Sequence, residues 1–530
     1  MLRRCITAAL ALAALGAAPA HAQLPLFGGD GAPPTAPDAV RYSNPVVPGD
    51  YPDPSVIRDG QDYWAVVTSG GWRPPFTVLH SDDLVNWQVA GSVLRHRPPW
   101  AKSSFWAPEI QKQGPRYLVY YSARSLRGSF CVAVASAPSP LAFFHDHGPM
   151  VCPPLGAIDP QAVRDERGRP YLVWKVDGNN RRRPTPIMAA PLSANGLKLT
   201  GAPRELFRND QPWEGRVIEG PTLVQRGSTL YMLYSAGACC GRHCNYVLGV
   251  ARSPTLLGRW EKHPGPILAG DKSFRCPGHA TVVDSPSGGQ YLLYHAYTGD
   301  GRLDVGRQLL LDRLEWGADG WPVVNSGRGP SITALSPLDV AQSRRPEPFT
   351  DDFRTRFLTA GWQWDVARPA MHVDPRFGGR LWLGTIRRAR RPTPGVVGRQ
   401  PGESAYVAET VVSGRSARAS AGLAAYADGA HALGVEVQGR RAVVWRTMRG
   451  EAVPLASRPI GRARFVPLRI RAIGSDAFAF EVGLSRGWVG VGAPRYHAPA
   501  WRGRTRIVLR VAGPRSSRAA FERFSLGPSP

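Results

Sequence analysis

Asp53 is held between Pro52 and Pro54 in the stretch NPVVPGDYPDPSVIRDGQDYWAVV. Proline on both sides fixes the backbone and keeps helix away, a strong constraint on one carboxylate just ahead of a strand. Further along, Asp159 stands in GAIDPQAV, Glu219 in VIEGPTL and His279 in GHATVV. Two carboxyl groups facing each other across a pocket suit acid–base hydrolysis of a glycosidic bond: one, protonated, donates to the leaving oxygen, and the other activates water or attacks carbon. A third carboxylate nearby raises the pKa of the acid by like-charge repulsion. Glu219, between apolar residues, suits the acid because desolvation favours its protonated form. Asp53, rigidly placed, suits the base, and Asp159 the modulator. Taken alone, Asp53 also fits a plain strand-entry turn.

The elements that must position these groups come from an internal repeat. Five segments share an apolar strand, a Gly- or Asp-bearing turn and an aromatic strand: SVIRDGQDYWAVVTS, EIQKQGPRYLVYYSA, QAVRDERGRPYLVWKV, TLVQRGSTLYMLYSA and TVVDSPSGGQYLLYHAY. Each reads as a β-hairpin. Aligned on Tyr63, Tyr117, Tyr171, Tyr231 and Tyr291, they are 54, 54, 60 and 60 residues apart, a period that fits a β-propeller blade. SDDLVNW, SAPSPLAFF and SPTLLGRW repeat further along three of the blades. Asp53 lies 10 residues ahead of its tyrosine, and Asp159, Glu219 and His279 each lie 12 ahead of theirs. Four blades thus place polar groups at one mouth of a central channel, with WAPE, Trp106 to Glu109, in the same place in the second. Opposed carboxylates on separate blades leave room for a water molecule, which favours inversion. Trp64, Trp87, Trp174 and Trp260 read as inter-blade core, His295 as a packed strand histidine and Glu109 as structural.

YPDPS, WAPE, AIDPQ, IEGP and GHATVV resemble the motifs of glycoside hydrolase family 43, in family order, over about residues 42–335. The resemblance implies a five-bladed propeller acting on arabinose- and xylose-containing glycans. It implies Asp53 as general base, Asp159 as pKa modulator and Glu219 as general acid. It also implies a sugar-packing role for Trp106, substrate contact for Arg307, and a channel position for His279 that in parts of the family binds calcium, directly or through water. No cofactor is required, and a structural calcium in the channel is the one metal it brings into view. The ACCGRHC loop, Ala238 to Cys244, departs from the commonest family pattern and leaves the sugar open.

After SPLDVAQSRRPEPF, short alternating strands such as SAYVAETVVS, FVPLRIRAIG and AFAFEVGL read as an antiparallel sandwich. This resembles, more loosely, the C-terminal concanavalin-like jelly-roll domain of xylosidase-type members of the family, which shields one side of the active-site mouth and favours exo-action. The expected division is all-β: a signal peptide over 1–22, a low-complexity segment over 23–41, a propeller over 42–338, a linker over 339–348 and a β-sandwich over 349–530.

Composition sets the outer bounds. The chain has 530 residues, 43% hydrophobic and 20% charged, an ordinary globular balance. MLRRCITAALALAALGAAPAHAQ has the basic, apolar and small-residue order of a secretory signal, cut after Ala22. No later stretch is long and apolar enough to span a bilayer, so the expectation is a periplasmic or extracellular protein. Of 7 cysteines, six follow the signal: Cys131, Cys152, Cys239, Cys240, Cys244 and Cys276. An even count in an exported chain favours disulfides over zinc at Cys239, Cys240, His243 and Cys244. The net charge is +26, and residues 351–530 carry 30 Arg, no Lys and 12 Asp plus Glu. The short run Arg387 to Arg391 forms no groove by itself. Export argues against nucleic acid, and attraction to acidic polysaccharides is the alternative use of this charge. The partner expected is a carbohydrate, and oligomeric state is open. Two other readings stand beside the exo-glycosidase: a carbohydrate-binding propeller with little or no catalysis, and an endo-arabinanase.

Overall fold

The computed structural model describes residues 39–529 apart from 180–182, 302, 343–347, 366–367, 387–392, 417, 475 and 499–504. The signal-peptide expectation, nearly all of the low-complexity segment, half of the linker and the run Arg387 to Arg391 lie outside the described residues. Among the described residues there is no α-helix, and none is long and apolar enough to cross a membrane.

Five four-stranded sheets follow one another along the chain, each built from consecutive antiparallel strands. Their first strands are Ser55–Asp59, Ala101–Gln113, Ala157–Arg164, Ile218–Arg226 and Phe274–Asp284. These are the blades of the propeller. Inner strands are covered on both faces by neighbouring blades, so they read as nearly continuous apolar runs such as Phe130–Ala137 and Thr229–Ala236. Outermost strands meet water: no residue of His145–Val151 or Gln88–Ser92 is fully buried. The ring closes where Arg41–Ser43 pairs with Thr333–Leu335 and Val47 bridges Leu309 of the fifth blade. Tyr42, Val46 and Val47 are buried there in a core made by the first and fifth blades. Trp64, Trp87, Trp174 and Trp260 all sit in or against the inter-blade cores.

The five tyrosines do not form one column. Strand register places Tyr171, Tyr231 and Tyr291 level with Trp64 and Leu118, so Tyr63 and Tyr117 are one residue out of step. A one-residue step turns a side chain to the other face of the sheet. Tyr63 and Tyr117 accordingly pack toward the preceding blade, and Tyr171, Tyr231 and Tyr291 toward the following one. Both faces are core, so an aromatic is buried either way and the sequence pattern cannot tell the two registers apart.

Beyond the ring, a nine-stranded and a six-stranded antiparallel sheet face each other as a β-sandwich. Leu381, Leu423, Val435, Leu468, Phe480, Leu509 and Phe521 are among the buried side chains between them. The sandwich docks on the first and fifth blades. Arg73 and Trp364 exchange backbone hydrogen bonds of 2.8 Å in both directions. Trp72 is buried among Val396, Ala424, Tyr426, Trp445 and Val508, with the Arg506 guanidinium 4.2 Å above its ring. The Gln400 amide bonds both backbone groups of Asp50, and Thr505 N–H reaches Asp304 O.

Candidate active site

Each blade begins with the same irregularity. In the third, Ile158 faces Lys175 and Gln161 faces Val173, three residues against two. The second, fourth and fifth blades repeat this at Trp106/Glu109, Glu219/Thr222 and Gly278/Thr281. In the first, Thr68 N–H bonds Pro52 O while Ser55 faces Val66. A β-bulge of this kind bends the strand and re-aims a side chain. The bulged residues are Asp53, Ala107, Asp159, Gly220 and His279, all left-handed, with φ of 56°, 42°, 55°, 59° and 47°. For a non-glycine residue that conformation costs about 1–3 kcal/mol, and proline follows four of the five. The prolines around Asp53 therefore belong to a bulge that turns its carboxylate into the channel mouth.

This register corrects the equivalence drawn from counting. Glu219 faces Ser235, as Trp106 faces Ser122 and Ile158 faces Lys175; the residue equivalent to Asp159 and His279 is Gly220. The shared spacing of 12 arises because the fourth blade's hairpin is one residue shorter: Val224 faces Tyr231, whereas Val163 faces Tyr171 and Val283 faces Tyr291, so the count of 12 falls one residue short of the bulge, on Glu219.

Side chains from the second strand of the preceding blade cap the bulges. Ala107 N–H donates to Thr68 Oγ1 (2.7 Å), Asp159 N–H to Ser122 Oγ (3.0 Å), His279 N–H to Ser235 Oγ (2.7 Å) and Asp53 N–H to His295 Nδ1 (3.1 Å). The fourth blade departs from this pattern. Lys175 occupies the capping slot and sends its Nζ to Glu219 Oε2 (2.8 Å) and Asn179 Oδ1 (2.8 Å). Gly220 N–H turns to Asp159 Oδ2 (2.9 Å). Asp159 and Glu219 are thereby held side by side, with Tyr246 OH donating to Glu219 Oε1 at 3.0 Å.

Asp53 lies opposite, under the Arg307 fork: Nη1 to Oδ1 is 2.8 Å and Nη2 to Oδ2 is 3.5 Å. Asp50, three residues earlier, accepts the Arg307 backbone N–H at 3.1 Å and so holds the arginine rather than facing the channel as a second base. His295 is fully buried and, with its bond to the Asp53 N–H, is more than strand packing.

The charges follow from these contacts. Burial, the largest influence on Asp53, pushes its carboxyl up, but Arg307, His279, His295 and a hydrogen bond from Thr68 together hold it well below the ordinary carboxylate range. Asp159 is raised to about 6, by burial first and by the charge on Glu219, against the pull of His279 and Lys175. On Glu219 burial pushes upward, yet Lys175, Tyr246 and His279 outweigh it and the net direction is down. The expectation that desolvation keeps Glu219 protonated is thus overturned: its sequence neighbours are apolar, but its spatial neighbour is the Lys175 ammonium group. Glu109, two residues past its bulge, faces Ser55 and Gln161, and burial raises it to about 7.

The sequence reading missed Lys175 and Tyr246. Lys175 had a signal: Thr68, Ser122, Lys175, Ser235 and His295 are polar at matching places in apolar strands. Tyr246 had none, since it follows the variable loop after the fourth blade's second strand.

With this geometry in place, the family model for glycosyl hydrolases family 43 matches residues 42–322, more than half of the chain. The chain belongs to this family. Among curated family-43 relatives, it is 28% identical over 347 residues to xylosidase/arabinosidase 43B of Humicola insolens, covering 61% of this chain and 62% of that protein. It is 25% identical over 374 residues to an extracellular exo-α-(1→5)-L-arabinofuranosidase of Streptomyces avermitilis, covering 66% and 74%. The chain thus spans less than two thirds of the length of the first of these relatives. The crystal structure of the GH43 BlXynB protein from Bacillus licheniformis shares the fold, with a TM-score of 0.79 at 23% identity over 92% of this chain and all of that one.

The residues singled out by the family-43 resemblance fall as follows. Arg307 is on Asp53. Trp106 is half-buried next to the second bulge and stacks on Phe130 at 4.3 Å. His279 Nδ1 is 3.7 Å from Asp53 Oδ1. The surroundings of His279 do not fit an ion held by protein ligands: among the described residues no three His, Cys, Asp or Glu side chains converge on a metal position, and Arg307 already binds the nearest carboxylate oxygen. Cys131 pairs with Cys152, Cys239 with Cys240 and Cys244 with Cys276, which leaves none of these sulfurs to zinc.

Proposed function

We propose that this chain is an inverting, exo-acting glycosidase that releases arabinose or xylose from plant-type polysaccharides or oligosaccharides. The observation that carries this is the convergence of Asp53 on one wall with the Asp159–Glu219 pair on another, at the mouth of a family-43 propeller. Asp53, kept charged by Arg307, acts as general base on a water attacking the anomeric carbon. The Asp159–Glu219 pair titrates as a unit and holds one proton below about pH 6, resting on Asp159. Transfer to Glu219 supplies the acid for the leaving oxygen, and Asp159 returns to the role of modulator. Trp106 and Arg307 contact the sugar. Each proton transfer in this reading is carried by these side chains.

Exo-action is supported by the sandwich. The loops that follow each blade's second strand open at the same mouth as the bulges, and the sandwich packs on two of them, at Gly70–Arg73 and at Asp304. A groove running across the whole face, which an endo-arabinanase needs, would meet this wall. Three disulfides support export to an oxidising compartment.

The test is hydrolysis of p-nitrophenyl β-D-xylopyranoside and α-L-arabinofuranoside by wild type beside Glu219→Ala, with the anomer of the first product read by NMR. Turnover that collapses in the variant, with inverted product, is expected. A wild type that binds xylan or arabinan but turns over neither substrate nor polymer would replace the enzyme with a binding module.

A further inference from the structure

The Cys239–Cys240 disulfide joins neighbours in sequence. Disulfide stabilisation grows with the length of chain closed, so this bond adds almost nothing as a staple. The loop that carries it, Ala238 to Cys244, is already tied down by other means. Cys244 is bonded to Cys276, in the fifth blade's first strand. Ala238 and Asn245 bond each other twice, at 2.7 and 3.1 Å. Arg275 Nη2 donates to Arg242 O at 3.1 Å. What the neighbouring-cysteine bond does supply is a small rigid ring, poor in hydrogen-bonding groups and polarisable.

Its place gives that surface a use. The loop follows the fourth blade's second strand, so it stands at the mouth on the side of Glu219. Cys239 packs against a cluster of Cys244, Tyr246, Cys276 and Tyr297. Tyr246 is the residue whose hydroxyl binds Glu219. Cys239 is half-buried and Cys240 exposed, so one side of the ring rests on the tyrosines and the other is open. Sugar sites pair a few polar groups with apolar walls that take the C–H face of the ring. A wall beside the acid meets the leaving group, because the acid protonates the oxygen that joins it.

We propose that the Cys239–Cys240 disulfide is the apolar platform for the sugar on the leaving-group side of the scissile bond, a specificity determinant of the reaction proposed above. The inference rests on that reading. It is tested with the double variant Cys239→Ser/Cys240→Ser, which leaves Cys244–Cys276 in place, on substrates with and without a sugar leaving group. For xylobiose and 1,5-arabinobiose, KM rises about tenfold while kcat stays within about twofold, the signature of lost binding common to ground and transition states. For β-D-xylosyl fluoride and α-L-arabinofuranosyl fluoride, both constants match wild type. Equal KM for the disaccharides in variant and wild type overturns the proposal, as does an equal change on disaccharide and fluoride, which would make the ring a support for the whole pocket. A wild type inactive on every substrate instead removes the glycosidase reading and the platform with it, so the two failures are told apart by the wild-type arm. A thermal melt of the variant within about 2 °C of wild type, the scale of a small stability change in a domain of this size, separates the KM effect from loss of fold.

Discussion

Replacing Lys175 by methionine removes the cation that decides where the active-site proton rests. Lys175 is fully buried, 2.8 Å from Glu219 Oε2. At an effective dielectric constant of about 20, two unit charges at that distance attract by about 6 kcal/mol, enough to offset the burial that would otherwise neutralise Glu219. Loss of the partner leaves a buried carboxylate uncompensated, a change that typically costs about 3–5 kcal/mol, and it also orphans Asn179 Oδ1. Part of that cost is avoided when Glu219 takes up a proton, so the melting temperature falls by a few degrees, about 1 °C per kcal/mol for a cooperative unit of this length. The informative readout is the pH profile of kcat/KM on the p-nitrophenyl glycosides. In wild type the basic limb reports loss of the proton shared by Asp159 and Glu219. With one positive charge removed beside two carboxylates, that proton is held to higher pH and the limb moves up. A limb that stays in place or moves down, in a variant whose melt shows it to be folded, would refute the argument that Lys175 sets the proton's position.

Other expectations follow from the same geometry. Wild-type activity declines as pH rises through about 6, where Asp159 gives up the proton that burial and the Glu219 charge make it keep; on the acid side activity persists below the usual carboxylate range, because Asp53 stays charged there, and a pH–rate profile checks both limbs. Glu219→Gln lowers kcat by about 10²–10⁴ on substrates with poor leaving groups and far less on dinitrophenyl glycosides, which need no acid; an equal loss across a leaving-group series would exclude Glu219 as proton donor. Asp53→Asn loses activity by a similar factor with no dependence on the leaving group, as a steady-state comparison on the same series would record. Trp72→Ala empties a pocket between the first blade and the sandwich and lowers stability by about 3–5 kcal/mol, read as a lower denaturation midpoint and faster proteolytic separation of the sandwich.

The repeat was legible because hairpins in inner strands carry apolar and aromatic residues that water would expel, and because three hairpin loops have only two residues. The fourth strands were not legible: no residue of His145–Val151 and only Phe207 of Arg204–Phe207 is buried, so little burial constrains their pattern. Asp53 announced itself by the prolines on both sides, and Asp159 by its place ahead of Tyr171 in the repeat. Glu219 was found through its motif, but its charge state was not, because that depends on Lys175, 44 residues away in sequence. The tyrosine column slipped for a physical reason already visible in the cores: with both faces of the strand buried, one register looks like the other. The pairing of the six cysteines likewise depends on which loops meet at the mouth, and no spacing rule states that.

Among the five bulge positions, two bear no group able to carry charge, Ala107 and Gly220, and they are not alike. A methyl group on Gly220 would stand 3.0 Å from His279 Nδ1, so space closes that position to change, although its φ of +59° is one that Asp53 and Asp159 also adopt. Ala107 already bears a Cβ in the same left-handed state, next to Trp106. Of the two, only residue 107 already carries a side chain on its bulge, and that side chain is itself buried. A lineage built on this scaffold can vary residue 107 only as far as that buried space allows, while Gly220 stays glycine.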